Sequence, residues 1–403
     1  MTHAVTGDEA TRPHADPDVE VLLCGLATVV PDTVLLQDEV SDVFATQPGL
    51  SRLAQRLVTT SFGVSGIERR HTVIDELTLE PAAGDEPPVF FDRESRELLL
   101  PGTRARNELY ERRASELYLA AASAALAAAP GVEAADITHV ITVSCTGFYA
   151  PGPDFVVARD LGLRPGVERY HLGFMGCYAA IPALRLARQI CVADPSAVVL
   201  VASVELCTLH LRTSNDPDTI IATSLFADGG AAGVVRTGRV APGERAFALD
   251  RFATRITPSG ESSMAWRIGD HGFEMVLSNA VPAIIGEHVT GAVAPLLDPD
   301  GELRAALDRG EVSAAIEHWA IHPGGRSILD RVETALRLSE EQLRPARATL
   351  RDYGNMSSAT VLFVLRSILE AAGTEHGDRV AAMAFGPGLT VESALMTVRA
   401  DAG

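Results

Sequence analysis

The stretch His171-Leu-Gly-Phe-Met-Gly-Cys177-Tyr-Ala-Ala-Ile-Pro-Ala-Leu-Arg-Leu-Ala187 reads as a tight turn that opens a buried helix. Pro182 sets the start, because proline lacks an N–H and is tolerated only in the first helical turn, where the donors are unpaired in any case. The helix is therefore expected to begin near Cys177. A thiol there faces the positive end of the helix dipole, a field that lowers thiol pKa and favours the nucleophilic thiolate. A lone cysteine among Ala, Leu and Ile also suits a small core residue. This segment alone leaves both roles open.

A second copy of the pattern decides the fold. Asn355-Met-Ser-Ser-Ala-Thr-Val-Leu-Phe-Val-Leu-Arg366 echoes the helix start, with Asn355 lying 178 residues after Cys177. The opening apolar run from Val21 to Pro31 is echoed from Phe247 to Pro258. The run Thr138–Ser144 is echoed by Ala314–Ile321, and Ala197–Ser203 by Arg379–Phe385. Thr138–Ser144 and Ala197–Ser203 read as continuous apolar strands, as expected in a sheet covered on both faces. Four matches in one order predict a duplicated α/β unit. A break at Thr237–Gly243 separates a half at 20–240 from a half at 241–403. Within the first half, a helix is expected from Arg106 to Ala129. The Pro- and Gly-rich residues 81–104 read as a surface excursion. Residues 1–19 are polar, lack an apolar period and read as a disordered tail.

Composition narrows the function classes. The chain has 403 residues and is 47% hydrophobic, enough for a large core and more than one domain. No run of 18 uncharged apolar residues is present, so no membrane span is expected. The opening residues have neither a basic nor an apolar region, unlike a secretory signal. The five cysteines (Cys24, Cys145, Cys177, Cys191 and Cys207) are odd in number and mostly lie in apolar runs. That pattern points to a reducing cytoplasm rather than a disulfide framework. No CxxC or His/Cys cluster suggests a metal site. A formal net charge of −19 argues against a nucleic-acid surface. It leaves room for an anionic small ligand held by a few basic side chains and backbone N–H groups.

Two further residues join Cys177. His322 ends the run Trp319-Ala-Ile and precedes Pro323-Gly324-Gly325, so it is expected to point into whatever cleft lies at that strand end. Asn355, in Tyr353-Gly-Asn-Met-Ser-Ser358, stands at a helix start, where Asn also serves as an N-cap. The repeat puts Cys177 and Asn355 at matching positions of the two halves, and pseudo-twofold packing would bring them together. A Cys–His pair supplies a thiolate–imidazolium nucleophile, and an Asn amide supplies a donor for developing negative charge.

At this point the chain resembles the type III polyketide synthases, the chalcone synthase-like group of the thiolase superfamily. The matching motifs are Gly176-Cys177, Leu225-Phe226-Ala-Asp228-Gly229, His322-Pro-Gly-Gly325, Tyr353-Gly-Asn355-Met-Ser-Ser-Ala359 and Phe385-Gly386-Pro387-Gly388-Leu-Thr-Val-Glu392. They run in family order over about residues 20–400. The resemblance implies a thiolase-like, duplicated αβαβα five-layer fold in a homodimer. It implies a Cys177 that accepts an acyl group from an acyl-CoA starter, and a His322 and Asn355 that promote decarboxylation of malonyl-CoA and hold the enolate. Coenzyme A thioesters are then substrates, with no permanently bound cofactor. The implied pocket includes Cys145, Thr146, Leu211, Phe226, Met275 and Ser357. Gly324 and Gly325 are expected beside coenzyme A, with Arg56, Arg69 and Arg70 as candidate cations.

The chain departs from the plant pattern at several positions. Ala384 replaces the first glycine of the C-terminal loop, and Ala150 replaces a methionine that reaches the partner's cavity. Leu211 falls roughly where a gatekeeping phenylalanine is expected, with Met275 near the second. The reduced bulk at Leu211 and Ala150 favours an aliphatic starter and a pyrone or resorcinol-type product. A tetrahydroxynaphthalene-type synthase that uses malonyl-CoA alone is the alternative product class. A ketoacyl synthase III shares the three residue types, but usually places an Asn after His-Gln-Ala, where this chain reads His322-Pro-Gly-Gly325. A cysteine-protease-type hydrolase would lack the duplicated unit.

Overall fold

The computed structural model describes residues 20–78 and 87–401. The expected tail at 1–19, and residues 79–86 of the expected excursion, lie outside the described residues. Nine strands form one mixed sheet: β1 (Glu20–Val29), β2 (His139–Ser144), β3 (Glu168–Gly173), β4 (Val198–Leu206), β5 (Asp228–Gly238), β6 (Arg245–Ile256), β7 (His318–Ile321), β8 (Arg379–Gly386) and β9 (Thr390–Ala400). Their order is β7-β8-β9-β6-β1-β5-β4-β2-β3. The first half runs β1-β5-β4-β2-β3 and the second β6-β9-β8-β7. The duplication read from the apolar runs is thus a duplication of strand order. In each half the last strand in sequence, β5 or β9, is antiparallel to both neighbours. β1 and β6 join the halves in antiparallel register, with Leu22 opposite Ala248 and Leu23 opposite Phe247.

Alternation along the strands explains the layering. Val199 and Val201 of β4 enter one core, while Leu200, Ala202 and Val204 enter the other. The run Val198–Ala202 is therefore apolar throughout, as a sheet covered on both faces requires. Helix Ala180–Ala193 packs on strands of both halves, and so does helix Thr360–Glu370. These two helices form the central layer. Helix Thr103–Ala127, slightly earlier than expected, covers the outer face of the first half. Helices Val281–Leu297 and Arg326–Leu336 lie on the outer side of the second. The result is the five-layer αβαβα arrangement.

The excursion is also more ordered than a loop. Phe91–Asp92 and Glu97–Leu98 pair as a short hairpin, and Phe91 is buried.

Candidate active site

Cys177 does not begin a helix. It sits in a turn from Gly176, closed by a bond from the Ala179 N–H to the Gly176 carbonyl at 3.1 Å, and the helix starts at Ala180. Pro182 is in its first turn, as expected. Glycine at 176 has two causes. Its φ is +84°, and a Cβ there would lie 2.4 Å from Pro387 Cδ. A Cβ on Gly386 would in turn meet Tyr178 at 2.5 Å. The Gly-Cys turn and the Phe385-Gly-Pro-Gly388 turn are thus packed against each other, each glycine seating a side chain of the other turn, Pro387 on Gly176 and Tyr178 on Gly386.

Asn355, too, is not at the helix start expected for it. It caps no helix. Its N–H donates to the Leu225 carbonyl and its carbonyl accepts from the Ala227 N–H, both at 2.9 Å, forming a bridge with Phe226. A 3₁₀ turn at Ser357–Ala359 intervenes before helix Thr360–Glu370. Its Oδ1 accepts from the Ser357 N–H at 2.9 Å, and its Nδ2 donates to the Gly324 carbonyl at 3.4 Å. Asn355 therefore ties the Phe226 segment to the loop that carries His322. The His322 N–H continues β7 by donating to the Met383 carbonyl at 2.8 Å.

Cys177 packs with Cys207, Ala222 and Phe226, with Met275 against them. Its thiol also meets the side chains of Ser357 and Asn355. Burial pushes the thiol up to about 12, and those two hydrogen bonds only partly oppose it. The expected lowering by a helix terminus is outweighed by desolvation. His322 is buried too, and among the described residues neither ring nitrogen has a hydrogen-bond partner. Burial pushes its pKa down to about 3. Both groups are neutral at rest, and a dry imidazole with two free nitrogens is available to take or give a proton.

Glu205 was missed by the sequence reading. It lies fully buried in β4 and accepts from Ser144 Oγ at 3.2 Å, the Cys145 N–H at 2.9 Å, Thr146 Oγ1 at 2.9 Å and Ser358 Oγ. Burial raises its pKa against these donors. The carboxyl locks the Cys145–Thr146 turn of one half to the Ser357–Ser358 turn of the other. Cys145 Sγ lies 3.3 Å from Ser357 Oγ. The only sequence signal was one acidic residue in an otherwise apolar run.

Comparison with known proteins settles the family. The profile described as "Chalcone and stilbene synthases, N-terminal domain" matches residues 9–239, and its C-terminal counterpart matches 248–399. The chain belongs to the chalcone and stilbene synthase family. A bisdemethoxycurcumin synthase of Oryza sativa is 33% identical, over 97% of this chain and 95% of its own. The alpha-pyrone synthesis polyketide synthase-like Pks18 of Mycobacterium tuberculosis is 30% identical, over 96% and 94%. Among solved structures, a polyketide synthase of the brown alga Ectocarpus siliculosus superposes with a TM-score of 0.84 at 28% identity, over 95% of this chain and 99% of that one. The 1,3,6,8-tetrahydroxynaphthalene synthase of Streptomyces coelicolor gives 0.78 at 30%, over 94% and 100%. The protein is a type III polyketide synthase and a condensing acyltransferase, with the thiolase-like fold.

The other expected site residues of this synthase divide clearly. Phe226 and Met275 flank the thiol. Leu211 does not; it lies one layer out, so the chain keeps a phenylalanine beside the nucleophile. The Thr146 hydroxyl is spent on Glu205 and the Leu206 N–H, behind the pocket wall. Gly324 and Gly325 line a cleft of about 610 Å³ together with Arg326 and Arg331. Arg56 is exposed and is not among the residues lining that cleft. Arg69 is exposed and paired with Asp352. Arg70 is fully buried and donates to the Thr223 and Phe226 carbonyls at 2.8 and 2.7 Å. It satisfies carbonyls left unpaired where helix Pro217–Leu225 ends, and so supports the Phe226 segment. No helix among the described residues is long and apolar enough to cross a membrane.

Proposed function

We propose that this synthase extends an aliphatic acyl-CoA starter with units from malonyl-CoA and cyclises the chain to a pyrone or resorcinol-type product. The observation that carries this reading is the junction of three elements at one dry point: the Cys177 thiol, the Asn355 amide and the loop of His322. The first half, 20–240, supplies the nucleophile; the second, 241–403, supplies the His and Asn. Cys177 gives its proton to His322 and attacks the starter carbonyl, and coenzyme A leaves. Malonyl-CoA then loses carbon dioxide. The electron pair of the broken C–C bond is delocalised onto the thioester oxygen, to which Asn355 Nδ2 and His322 donate hydrogen bonds. The enolate carbon attacks the acyl-cysteine and the Cys177 sulfur leaves; the longer chain, now a coenzyme A thioester, is attacked in turn by the Cys177 thiolate, and coenzyme A leaves.

The cleft beside Gly324 and Gly325 supports access for the coenzyme A thioester, with Arg326 and Arg331 as the nearby cations. The apolar walls supplied by Phe226 and Met275 support an aliphatic chain. We also read the enzyme as a homodimer. Strand β3 is a largely exposed edge, paired with β2 on one side and with no strand on the other among the described residues, and Phe148, Phe155 and Tyr170 are exposed around it. A second copy pairing there would cover both the open ladder and the apolar surface. Sedimentation equilibrium should give twice 42.7 kDa, and Tyr170→Asp should shift the species toward monomer; a wild-type monomer at micromolar concentration refutes this. All five cysteines are free, which supports a reducing cytoplasm.

The test is incubation with malonyl-CoA and a panel of acyl-CoA starters, with products read by mass. Starter-dependent products are expected, and Cys177→Ala should abolish them while leaving the fold intact. Full consumption of malonyl-CoA alone, with acyl-CoAs only inhibiting, would replace this reading by the tetrahydroxynaphthalene-type one.

A further inference from the structure

A helix beside the mouth of the thioester cleft carries unpaired positive charge in an acidic chain. No Asp or Glu occurs between Asp42 and Glu68, although the chain has 53 acidic residues and a net charge of −19. Helix Arg52–Val64 lies wholly within that gap. Its apolar face, Ala54, Val58 and Phe62, is buried with Phe44 and Ile220. On the other side Arg52, Arg56, Thr60 and Val64 recur every four residues and form an exposed stripe. Among the described residues, neither Arg52 nor Arg56 has a carboxylate oxygen within 4.0 Å. Leu53 is 76% exposed and stands beside the first arginine.

The stripe leads to the cleft. Val64, its last residue, lines the cleft with Gly324, Gly325, Arg326 and Arg331. Arg56 and Arg52 do not line it. They lie roughly 12 and 18 Å back from Val64 along the helix axis. Coenzyme A in the cleft has Arg326 and Arg331 beside it, so the outer arginines are left for a larger partner. A bilayer does not fit this face, because a helix lying on lipid needs a continuous apolar side, and that side is already spent on the core. An acidic protein does fit it. The negative charge elsewhere repels such a partner, so the stripe also sets where it lands.

We infer that this face docks a small acidic carrier protein that presents the starter as a thioester on a phosphopantetheine arm. The inference rests on the acyl-thioester reading above and adds a second donor beside coenzyme A. The arm enters the cleft past Val64 and Gly325, while acidic side chains of the carrier meet Arg52 and Arg56 and an apolar spot on it covers Leu53. The transfer balances as it does with coenzyme A. The Cys177 thiol gives its proton to His322, its sulfur bonds to the acyl carbon, the bond to the pantetheine sulfur breaks, and that thiolate takes the proton back.

The experiment supplies dodecanoyl groups on a fatty-acid acyl carrier protein and, separately, on coenzyme A. Wild type is compared with the double variant Arg52→Glu, Arg56→Glu, and the second-order rate of acyl transfer to Cys177 is read by intact-protein mass. Wild type should accept both donors. The double variant should lose at least tenfold with the carrier and less than twofold with coenzyme A. Raising salt to about 0.3 M should slow the carrier reaction of wild type more than that of the variant. Both positions are surface side chains, and the coenzyme A reaction reports that the variant is folded. An unchanged carrier rate in the variant, or equal losses with both donors, overturns the docking face. A wild type that takes dodecanoyl-CoA but not the carrier thioester overturns the inference and leaves the starter reading standing. A wild type that takes neither overturns the inference and the aliphatic-starter reading together. Arginine-dependent binding to phosphatidylglycerol vesicles, with no use of the carrier thioester, would assign the face to a membrane instead.

Discussion

Cys177 and His322 are each held neutral by burial, at about 12 and about 3, yet the proposed reaction needs their charged forms. The same low-dielectric surroundings that penalise each ion alone strengthen the attraction between them. A proton passing from thiol to imidazole adds no net charge to the site. The reactivity of Cys177 at neutral pH is therefore expected to depend on His322. In His322→Gln the thiol is left with its burial alone, and alkylation should climb about tenfold per pH unit from 7 to 10, because only the thiolate reacts. Wild type should react at least tenfold faster at pH 7 and vary little between pH 7 and 10, because passing the proton to the imidazole leaves the proton count of the pair unchanged. Superimposable pH profiles would remove His322 from this role. These residue types were legible in the sequence because each stands at a strand end or turn inside a motif. Glu205 was not legible as a site residue. Its four donors come from positions about 60 and about 153 residues away, and no local pattern announces them.

At the scale of elements, the site is a junction of turns rather than of helix ends. The reading of both helix starts was off by a few residues, since a preceding turn and a helix look alike in composition when both are buried and small. The contact of Gly176 with Pro387 and of Gly386 with Tyr178 could not be foreseen from either stretch alone. Glu205 is the polar counterpart of that contact, pinning turns from both halves. Glu205→Leu leaves its four donors buried without an acceptor, each a loss of about 1–3 kcal/mol before relaxation. Denaturant unfolding should show a loss of about 3 kcal/mol or more, with a smaller loss for Glu205→Gln, which keeps an acceptor oxygen. Equal midpoints for wild type and Glu205→Leu would refute the pinning role.

At the scale of the molecule, the duplication was legible because buried strands leave continuous apolar runs. β1, β2, β4, β6, β7 and β8 all fall within or beside the runs read from the sequence. β3 was not read. Its residues Glu168–Gly173 are mostly exposed at a sheet edge, and no hydrophobic pattern marks them. The capacity of the pocket was equally hidden, since it depends on where Trp266, His210 and Leu211 pack. The central claim is that the two halves meet to divide one reaction, nucleophile from the first and oxyanion donors from the second. Its most direct measurement follows two signals in wild type, Cys177→Ala and Asn355→Ala: acyl mass on the Cys177 peptide, and release of labelled carbon dioxide from malonyl-CoA. Asn355→Ala should still load acyl groups while losing roughly 10²–10³ in carbon dioxide release, as expected for one preorganised donor. Cys177→Ala should load nothing. Wild-type carbon dioxide release from Asn355→Ala, or acyl mass on a cysteine other than Cys177, would contradict the account.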